Sequence, residues 1–117
     1  KEEPGQVHPI ILSSDSIGER GKPAEVVGQE AASALVKEIS SGACVDRYLA
    51  DQLIPFMAIA GNSNKGTAAP LSTLGSRIVT SEITNHCLAN IFVVEQFLGE
   101  LFEVDKEAKT LQTVTFK

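Results

Sequence analysis

The chain has 117 residues, of which 43% are hydrophobic and 21% are charged, a composition typical of a globular domain. Its ten basic and fifteen acidic residues give a net charge of −5. This charge argues against a domain that binds nucleic acid through a broad basic surface, but a focused site with a few cations stays open. Two cysteines are too few for a disulfide scaffold, and no apolar run approaches the ~20 residues that cross a bilayer. We therefore expect a cytoplasmic protein without a membrane segment.

The N-terminal third of the sequence predicts a strand followed by a helix. Residues 7–12 are mostly apolar and predict a short strand, with Pro9 favouring an edge position. An amphipathic helix follows, because apolar residues recur at spacings of three and four: Val27, Ala31, Ala34, Leu35 and Ile39. The helix is expected to end at residues 40–42, Ser-Ser-Gly.

A second helix is predicted over residues 45–60. Asp46 can act as its N-cap, and Gly61 follows its last apolar residue as expected at a C-terminal end. Pro55 lies inside the helix, so we expect it to kink the helix or to shift its ends. The residues after Gly61, up to Gly66, predict a polar loop.

The C-terminal half predicts two short strands, a third helix and a hairpin. Residues 69–83 contain the two strands, broken at Gly75. Thr84 or Asn85 can cap the third helix, whose buried stripe comprises Cys87, Leu88, Ile91, Val94 and Leu98. Residues 101–104 and 111–116 then predict a hairpin. The predicted order of elements is therefore β-α-α-β-β-α-β-β.

Three polar side chains share one stripe of the second predicted helix. Tyr48, Asp51 and Gln52 stand at positions i, i+3 and i+4, beside the apolar face. An aromatic ring, a carboxylate and an amide together suit the base and ribose of a nucleotide. A flank that is polar only because it faces solvent is the alternative, and spacing alone favours that alternative.

His86 lies at the predicted start of the third helix. A helix N-terminus presents unpaired N–H groups and a positive dipole end, which attract phosphate. A neutral imidazole at this position could attack a phosphorus atom as a nucleophile. A histidine that only caps or packs locally is the alternative, which spacing alone again favours.

Metal ligands are not predicted at the histidines and cysteines. The four candidates lack the paired spacing of zinc sites: His8, Cys44, His86 and Cys87. Two free buried cysteines are the preferred interpretation, and no residue is assigned to a metal.

Three segments of the chain, in order, resemble RNA 3′-terminal phosphate cyclases. They are residues 18–28, which begin Gly-Glu-Arg-Gly, residues 45–60, which contain Asp-Arg-Tyr-Leu-Ala-Asp-Gln-Leu, and residues 80–98, which contain Thr-Asn-His-Cys-Leu-Ala-Asn. Three collinear matches are more specific than any single motif. The third segment is most similar to archaeal and bacterial members.

The resemblance implies an ATP-dependent enzyme of the ligase class. Such an enzyme converts RNA 3′-phosphate ends to 2′,3′-cyclic phosphates through a histidine–AMP intermediate. His86 matches the nucleophile, and Tyr48, Asp51 and Gln52 match residues that line the adenylate pocket. The implied cofactors are ATP and a divalent metal, magnesium or manganese. The adenylate residues that the resemblance implies are the same polar stripe that the helix spacing isolates. This agreement favours His86 as the nucleophile over a histidine with only a structural role.

The resemblance also implies an α+β fold in which helices pack on a mixed four-stranded sheet. Residues 44–117 would form the last repeat unit of the large catalytic domain, and residues 1–43 the end of an inserted small domain. Family members are much longer, so the chain is expected to be a fragment that lacks the N-terminal part of the enzyme. Alone it is expected to be inactive, and its uncovered apolar surface favours a homo-oligomer.

A non-catalytic relative that acts as a binding module in ribosome assembly is the alternative function. Such a scaffold would have the same fold, but it would have no need for a nucleophile. The histidine at position 86 therefore favours the enzyme, with RNA 3′-phosphate ends as its partner.

Overall fold

The computed structural model describes residues 9–63 and 75–114, which form an α+β fold. Its three helices are α1 (Ala24–Ser40), α2 (Arg47–Ser63) and α3 (Asn85–Leu98). Its three strands are β1 (Arg77–Val79), β2 (Phe102–Asp105) and β3 (Thr110–Thr113). The three predicted helices and the predicted C-terminal hairpin are thus confirmed, with shifted boundaries.

The strands form an antiparallel sheet in the order β1-β3-β2. Leu111 on the central strand β3 is opposite Ile78 of β1 and Val104 of β2. Leu111 is fully buried, because the face that carries it is covered by the helices. The chain between β2 and β3 turns at residues 106–109, in the middle of the predicted hairpin.

A mixed sheet of four strands is not confirmed within the described residues. Within residues 9–63 and 75–114, parallel pairing occurs only as isolated bridges, in which Val45 pairs with both Ile11 and Thr80. The chain cannot extend this pairing, because α2 begins two residues after Val45. Ile11 is the paired residue of the predicted first strand, and residues 7 and 8 of that strand lie outside the described residues.

The core lies between α2, α3 and the sheet. Its buried members are Val45, Ala50, Ile54, Met57, Cys87, Ile91 and Leu111. The predicted stripe of α3 is confirmed, since Cys87 and Ile91 are buried and its other members are half-buried. Both cysteines are free thiols, but Cys44 is half-buried rather than buried.

Helix α1 differs from its prediction in what it buries. Ile39 belongs to the predicted apolar stripe, yet 58% of its surface is exposed. The buried residue of α1 is Glu38, which forms an ion pair with Arg47 at the start of α2. Helix α1 is therefore attached to α2 through charge at its C-terminal end, and its apolar side chains remain accessible.

The predicted end of α2 at Gly61 is wrong, because the helix continues to Ser63. A Cβ atom at Gly61 would lie 3.2 Å from the Cβ atom of Thr113. The glycine therefore allows α2 and β3 to approach closely, instead of ending the helix. Residues 64–66 of the predicted loop lie outside the described residues.

No helix in the described ranges is both long enough and apolar enough to span a membrane.

Truncation of Ile54 tests the position of the core. Ile54→Ala is expected to lower the free energy of unfolding by about 2–5 kcal/mol, because the side chain is fully buried. The matched control is Ile59→Ala on the same helix, where 62% of the side chain is exposed. The control is expected to change stability by less than about 0.5 kcal/mol. Urea denaturation measures both variants, and equal losses would contradict the assignment of the core.

Candidate functional site

The predicted nucleophile lies in the first turn of α3. Thr84 is the N-cap, and its hydroxyl oxygen accepts a hydrogen bond from the Cys87 N–H at 3.2 Å. This choice between the two predicted caps places His86 second in the helix, with an exposed side chain. The positive end of the α3 dipole therefore lies beside the imidazole, as the sequence predicted.

The start of α2 is fixed by the buried carboxylate of Asp46. Its Oδ1 accepts hydrogen bonds from the N–H groups of Tyr48 at 3.0 Å and Leu49 at 2.9 Å. Its Oδ2 accepts from the N–H and the hydroxyl of Ser13, at 3.0 and 3.2 Å. Asp46 is thus the predicted N-cap, and it also attaches the segment around residue 13 to the helix.

The hydrogen bonds to Asp46 favour its ionised form. Burial raises the pKa of this carboxyl group, but the hydrogen bonds from Leu49, Ser13 and Tyr48 together outweigh burial. The pKa of Asp46 therefore lies below its ordinary value. Stability gained from this carboxylate is present at neutral pH and is lost in acid.

The three predicted adenylate residues occupy one side of α2 but have different surroundings. Tyr48 is 67% exposed and lines a cavity of about 240 Å³, which we call the tyrosine cavity. Gln52 is exposed and Asp51 is half-buried. The tyrosine cavity is lined by Ser13, Ser14, Asp15, Ala34, Lys37, Glu38, Arg47 and Tyr48. Of the three residues, Tyr48 borders this cavity, while Asp51 and Gln52 do not line it.

Pro55 removes a backbone hydrogen-bond donor from the middle of α2, and a side chain of α3 replaces it. Proline has no N–H, so the carbonyl oxygen of Asp51, four residues earlier, lacks the donor that an α-helix normally supplies to it. Asn90 of α3 supplies the missing donor, since its Nδ2 lies 3.4 Å from that carbonyl oxygen. The same amide also donates to Oδ1 of Asp51. A second helix thus compensates for the proline, and α2 runs without a break from Arg47 to Ser63.

Asn90 links the adenylate stripe to the helix of the predicted nucleophile. It lies four residues after His86, so the two side chains share one face of α3. The structure therefore brings Asp51 to the face of α3 that carries His86. Asn90 was not predicted from the sequence, although the absent donor at Pro55 is a signal that such a partner is needed.

Arg47 of α2 connects helix α1 with the segment that precedes α3. Its Nε donates to Glu38 of α1 at 2.9 Å, and its NH1 group donates to Glu82, shortly before the Thr84 cap. The hydrogen bond to Glu38 is the main cause of a raised pKa at Arg47, against the effect of burial, and the charges of Glu38 and Glu82 add to it. This arginine therefore stays charged and holds residues 80–84 against the two helices.

Residues 9–63 and 75–114 do not bring together a set of side chains that could bind a metal ion. Within these ranges, no group of three or more histidine, cysteine, aspartate or glutamate side chains could hold an ion. The described residues thus do not provide a site for the divalent metal that the resemblance implies.

Comparison with known proteins gives consistent matches to one family. The sequence profile of RNA 3′-terminal phosphate cyclase matches residues 3–104. The RNA 3′-terminal phosphate cyclase of Thermococcus onnurineus is 49% identical over 98 residues, which cover 84% of this chain and 25% of the relative. The enzyme of Pyrococcus abyssi is 48% identical over 98 residues, which cover 84% of this chain and 25% of the relative. That of Methanosarcina barkeri is 43% identical over 96 residues, which cover 82% of this chain and 25% of the relative. The chain spans about a quarter of the length of these curated relatives.

Acid titration of stability tests the role of Asp46. Its pKa is lowered in the folded protein, so its stabilising effect is present above the unfolded value of about 3.9 and is lost as the pH falls through the folded pKa. Asp46→Asn is expected to lose about 1–3 kcal/mol at pH 7, because both carboxylate oxygens accept hydrogen bonds and an amide nitrogen cannot replace either of them. Its stability is also expected to depend less on pH below about 4. Urea denaturation between pH 7 and pH 2 measures this difference. Asp15→Asn, at an exposed aspartate, is the matched control, and parallel pH curves for all three proteins would contradict the role of Asp46.

Removal of the Asn90 amide tests the contact between α2 and α3. Asn90→Ala is expected to lower the free energy of unfolding by about 1–3 kcal/mol, because a backbone carbonyl and a half-buried carboxylate each lose a donor. The same substitution made in a Pro55→Ala background is the control. There the new N–H of residue 55 donates to the Asp51 carbonyl, so Asn90→Ala is expected to cost about 1 kcal/mol less. Equal costs in both backgrounds, measured by urea denaturation, would show that Asn90 does not compensate for the proline.

Proposed function

Because the chain belongs to the RNA 3′-terminal phosphate cyclase family, we propose that it carries the nucleophile and part of the adenylate pocket of such an enzyme. The observation that supports this proposal is the position of His86. Its imidazole is exposed in the first turn of α3, and Asn90 on the same helix face holds Asp51 of the adenylate stripe.

The proposed reaction begins at the imidazole of His86. A ring nitrogen forms a bond to the α-phosphorus of ATP, and the bond from that phosphorus to the bridging oxygen breaks, so pyrophosphate leaves. The AMP group then moves from the histidine to the terminal phosphate of an RNA. The neighbouring 2′-hydroxyl attacks that phosphate, releasing AMP and leaving a 2′,3′-cyclic phosphate. The positive end of α3 would stabilise anionic oxygens near His86.

The adenylate would lie along the exposed side of α2. Tyr48 offers the face of an exposed ring for stacking on the base, and Gln52 offers an exposed amide. Asp51 would accept a hydrogen bond from a hydroxyl or amino group of the nucleotide, with its orientation set by Asn90. No step is assigned to magnesium or manganese, because the described residues offer no ligand set.

We further propose that residues 44–117 form the last repeat unit of the catalytic domain and that residues 1–43 end an inserted domain. The two parallel bridges of Val45 support a larger, mixed sheet, since they place extended segments beyond β1. The remaining contacts to ATP, metal and RNA would come from the part of the enzyme that these residues do not include. Exposed apolar side chains such as Phe56, Phe92 and Phe97 provide surface for that part or for a second copy of the chain.

Covalent labelling tests the proposed nucleophile. The protein in its full natural length is incubated with α-labelled ATP and magnesium or manganese, together with His86→Ala and the control Gln96→Ala, an exposed residue farther along α3. The wild type and the control are expected to carry label that survives denaturation and is released by acid, as a phosphoramidate is. His86→Ala is expected to carry none.

Absence of label on a folded wild-type protein would overturn the enzymatic proposal. That outcome would favour the non-catalytic alternative, a binding module in ribosome assembly. Label on His86→Ala would leave the family assignment unchanged but would place the nucleophile elsewhere.

A further inference from the structure

A second cavity, of about 380 Å³, lies beside the start of α3. We call it the lysine cavity, and it is lined by Lys37, Arg47, Ser81, Glu82, Ile83, Lys106 and Lys109. The cations come from three places in the chain: the last turns of α1, the start of α2 and the turn between β2 and β3. Its volume is roughly that of a dozen water molecules, so it can hold more than a single phosphate group.

The charge of the lysine cavity contrasts with that of the whole chain. The chain has a net charge of −5, yet four of its ten basic residues line this cavity, together with one carboxylate. Arg47 forms ion pairs with both Glu38 and Glu82, so these three side chains together carry one net negative charge. In contrast, Lys37, Lys106 and Lys109 form no ion pair with any residue in the described part of the chain. The three lysines together with the Arg47 trio therefore present a net charge of +2 to an anionic ligand.

Ser81 provides an independent indication of a ligand. The residue is only 6% exposed, and its hydroxyl has no hydrogen-bond partner among the residues that the structure describes. A buried hydroxyl without a partner is unfavourable, so such groups are almost always paired. Ser81 lines the lysine cavity, but its Oγ is enclosed, so a rotation about χ1 is required before this hydroxyl can donate to an acceptor atom of a bound ligand.

The turn that carries two of the lysines is held in one conformation. Asp105 accepts a hydrogen bond from the Ala108 N–H at 2.8 Å, and the Lys109 carbonyl accepts one from the Thr80 N–H at 3.0 Å. Lys109 has φ of 51°, a left-handed conformation that glycine or asparagine adopts at lower cost. A lysine is thus present at a position where local structure alone favours other residues, and its side chain lines the cavity.

We propose that the lysine cavity binds the phosphate backbone of the RNA strand whose 3′ end reaches His86. None of the lining side chains is aromatic, so the cavity suits phosphates rather than a base. Ile83 lines the cavity and directly precedes Thr84, the cap of the helix that carries His86. The choice of RNA as the ligand rests on the proposed function, and the site itself rests on the cations and on Ser81.

RNA binding without ATP or metal tests this proposal. A fluorescent RNA with a 3′-phosphate is titrated with the protein in its full natural length at several salt concentrations, and anisotropy is measured. Lys106→Gln combined with Lys109→Gln is expected to weaken binding about tenfold. Because each contact to a single strand contributes about 0.7 to the slope of log K against log salt, this slope is expected to fall by about 1.4. RNAs of different sequence are expected to lose affinity equally.

Three control variants separate phosphate contact from general effects. Arg77→Gln removes an exposed cation outside the cavity and is expected to leave affinity within about twofold of the wild type. Lysine-to-arginine changes at positions 106 and 109 are expected to retain binding, because they retain the charge. Ser81→Ala is expected to weaken binding about three- to tenfold without lowering the melting temperature, since it removes an unpaired hydroxyl.

An unchanged salt slope in the double glutamine variant would overturn the proposal. So would lysine-dependent binding of inorganic pyrophosphate with unchanged RNA affinity, which would assign the cavity to a free phosphate compound. The label on His86 is measured separately, so the two proposals can fail independently. Label with lysine-independent RNA binding would reject the cavity alone, whereas lysine-dependent RNA binding without label would reject the enzyme alone.

Discussion

A proline within a helix leaves one carbonyl oxygen without its helical donor, and this protein meets that need from a neighbouring helix. Pro55 removes the N–H that would donate to the Asp51 carbonyl oxygen in α2, and the side-chain amide of Asn90 in α3 donates to that oxygen instead. This hydrogen bond joins residues 39 positions apart and adds a polar link between α2 and α3 to the apolar core that they share. Because the amide also donates to the Asp51 carboxylate, it orients a proposed ligand-binding side chain.

The two residues that begin α2 have complementary structural roles. Asp46 caps the helix and holds the segment around Ser13, while Arg47 pairs with α1 on one side and with Glu82 on the other. Lys37 and Arg47 line both the tyrosine cavity and the lysine cavity, so the two cavities adjoin at this point. A base beside Tyr48 and phosphates in the lysine cavity would therefore both bind next to Arg47, whose position is set by its ion pairs.

An acidic chain can bind a polyanion when its cations are concentrated and its carboxylates are occupied. The carboxylates nearest the lysine cavity, Glu38 and Glu82, both pair with Arg47, so only one of their two negative charges offsets the three lysines there. Long-range repulsion from the remaining acidic residues is screened by salt, whereas contacts within the cavity are short. Net charge therefore excludes a broad basic surface but does not exclude this local one.

Features that depend on neighbours along the chain can be predicted from the order of the residues alone. The Asp46 cap, the buried stripe of α3, the C-terminal hairpin and the position of His86 near a helix start follow from local spacing and from hydrogen bonds within one helical turn. The sequence left the cap of α3 open between Thr84 and Asn85, and the structure selects Thr84. The family was also identified from the sequence, because its motifs are contiguous.

Contacts between distant residues, in contrast, became known from the packing of the helices and strands. The structure pairs Asn90 with Asp51 and places Gly61 of α2 against Thr113 of β3. It also leaves Ile39 exposed and brings lysines from α1 and from the β2–β3 turn to one cavity. Periodicity gives the face of each helix but not the element that covers it. Contacts between residues tens of positions apart depend on how the elements pack, and no local pattern specifies that packing.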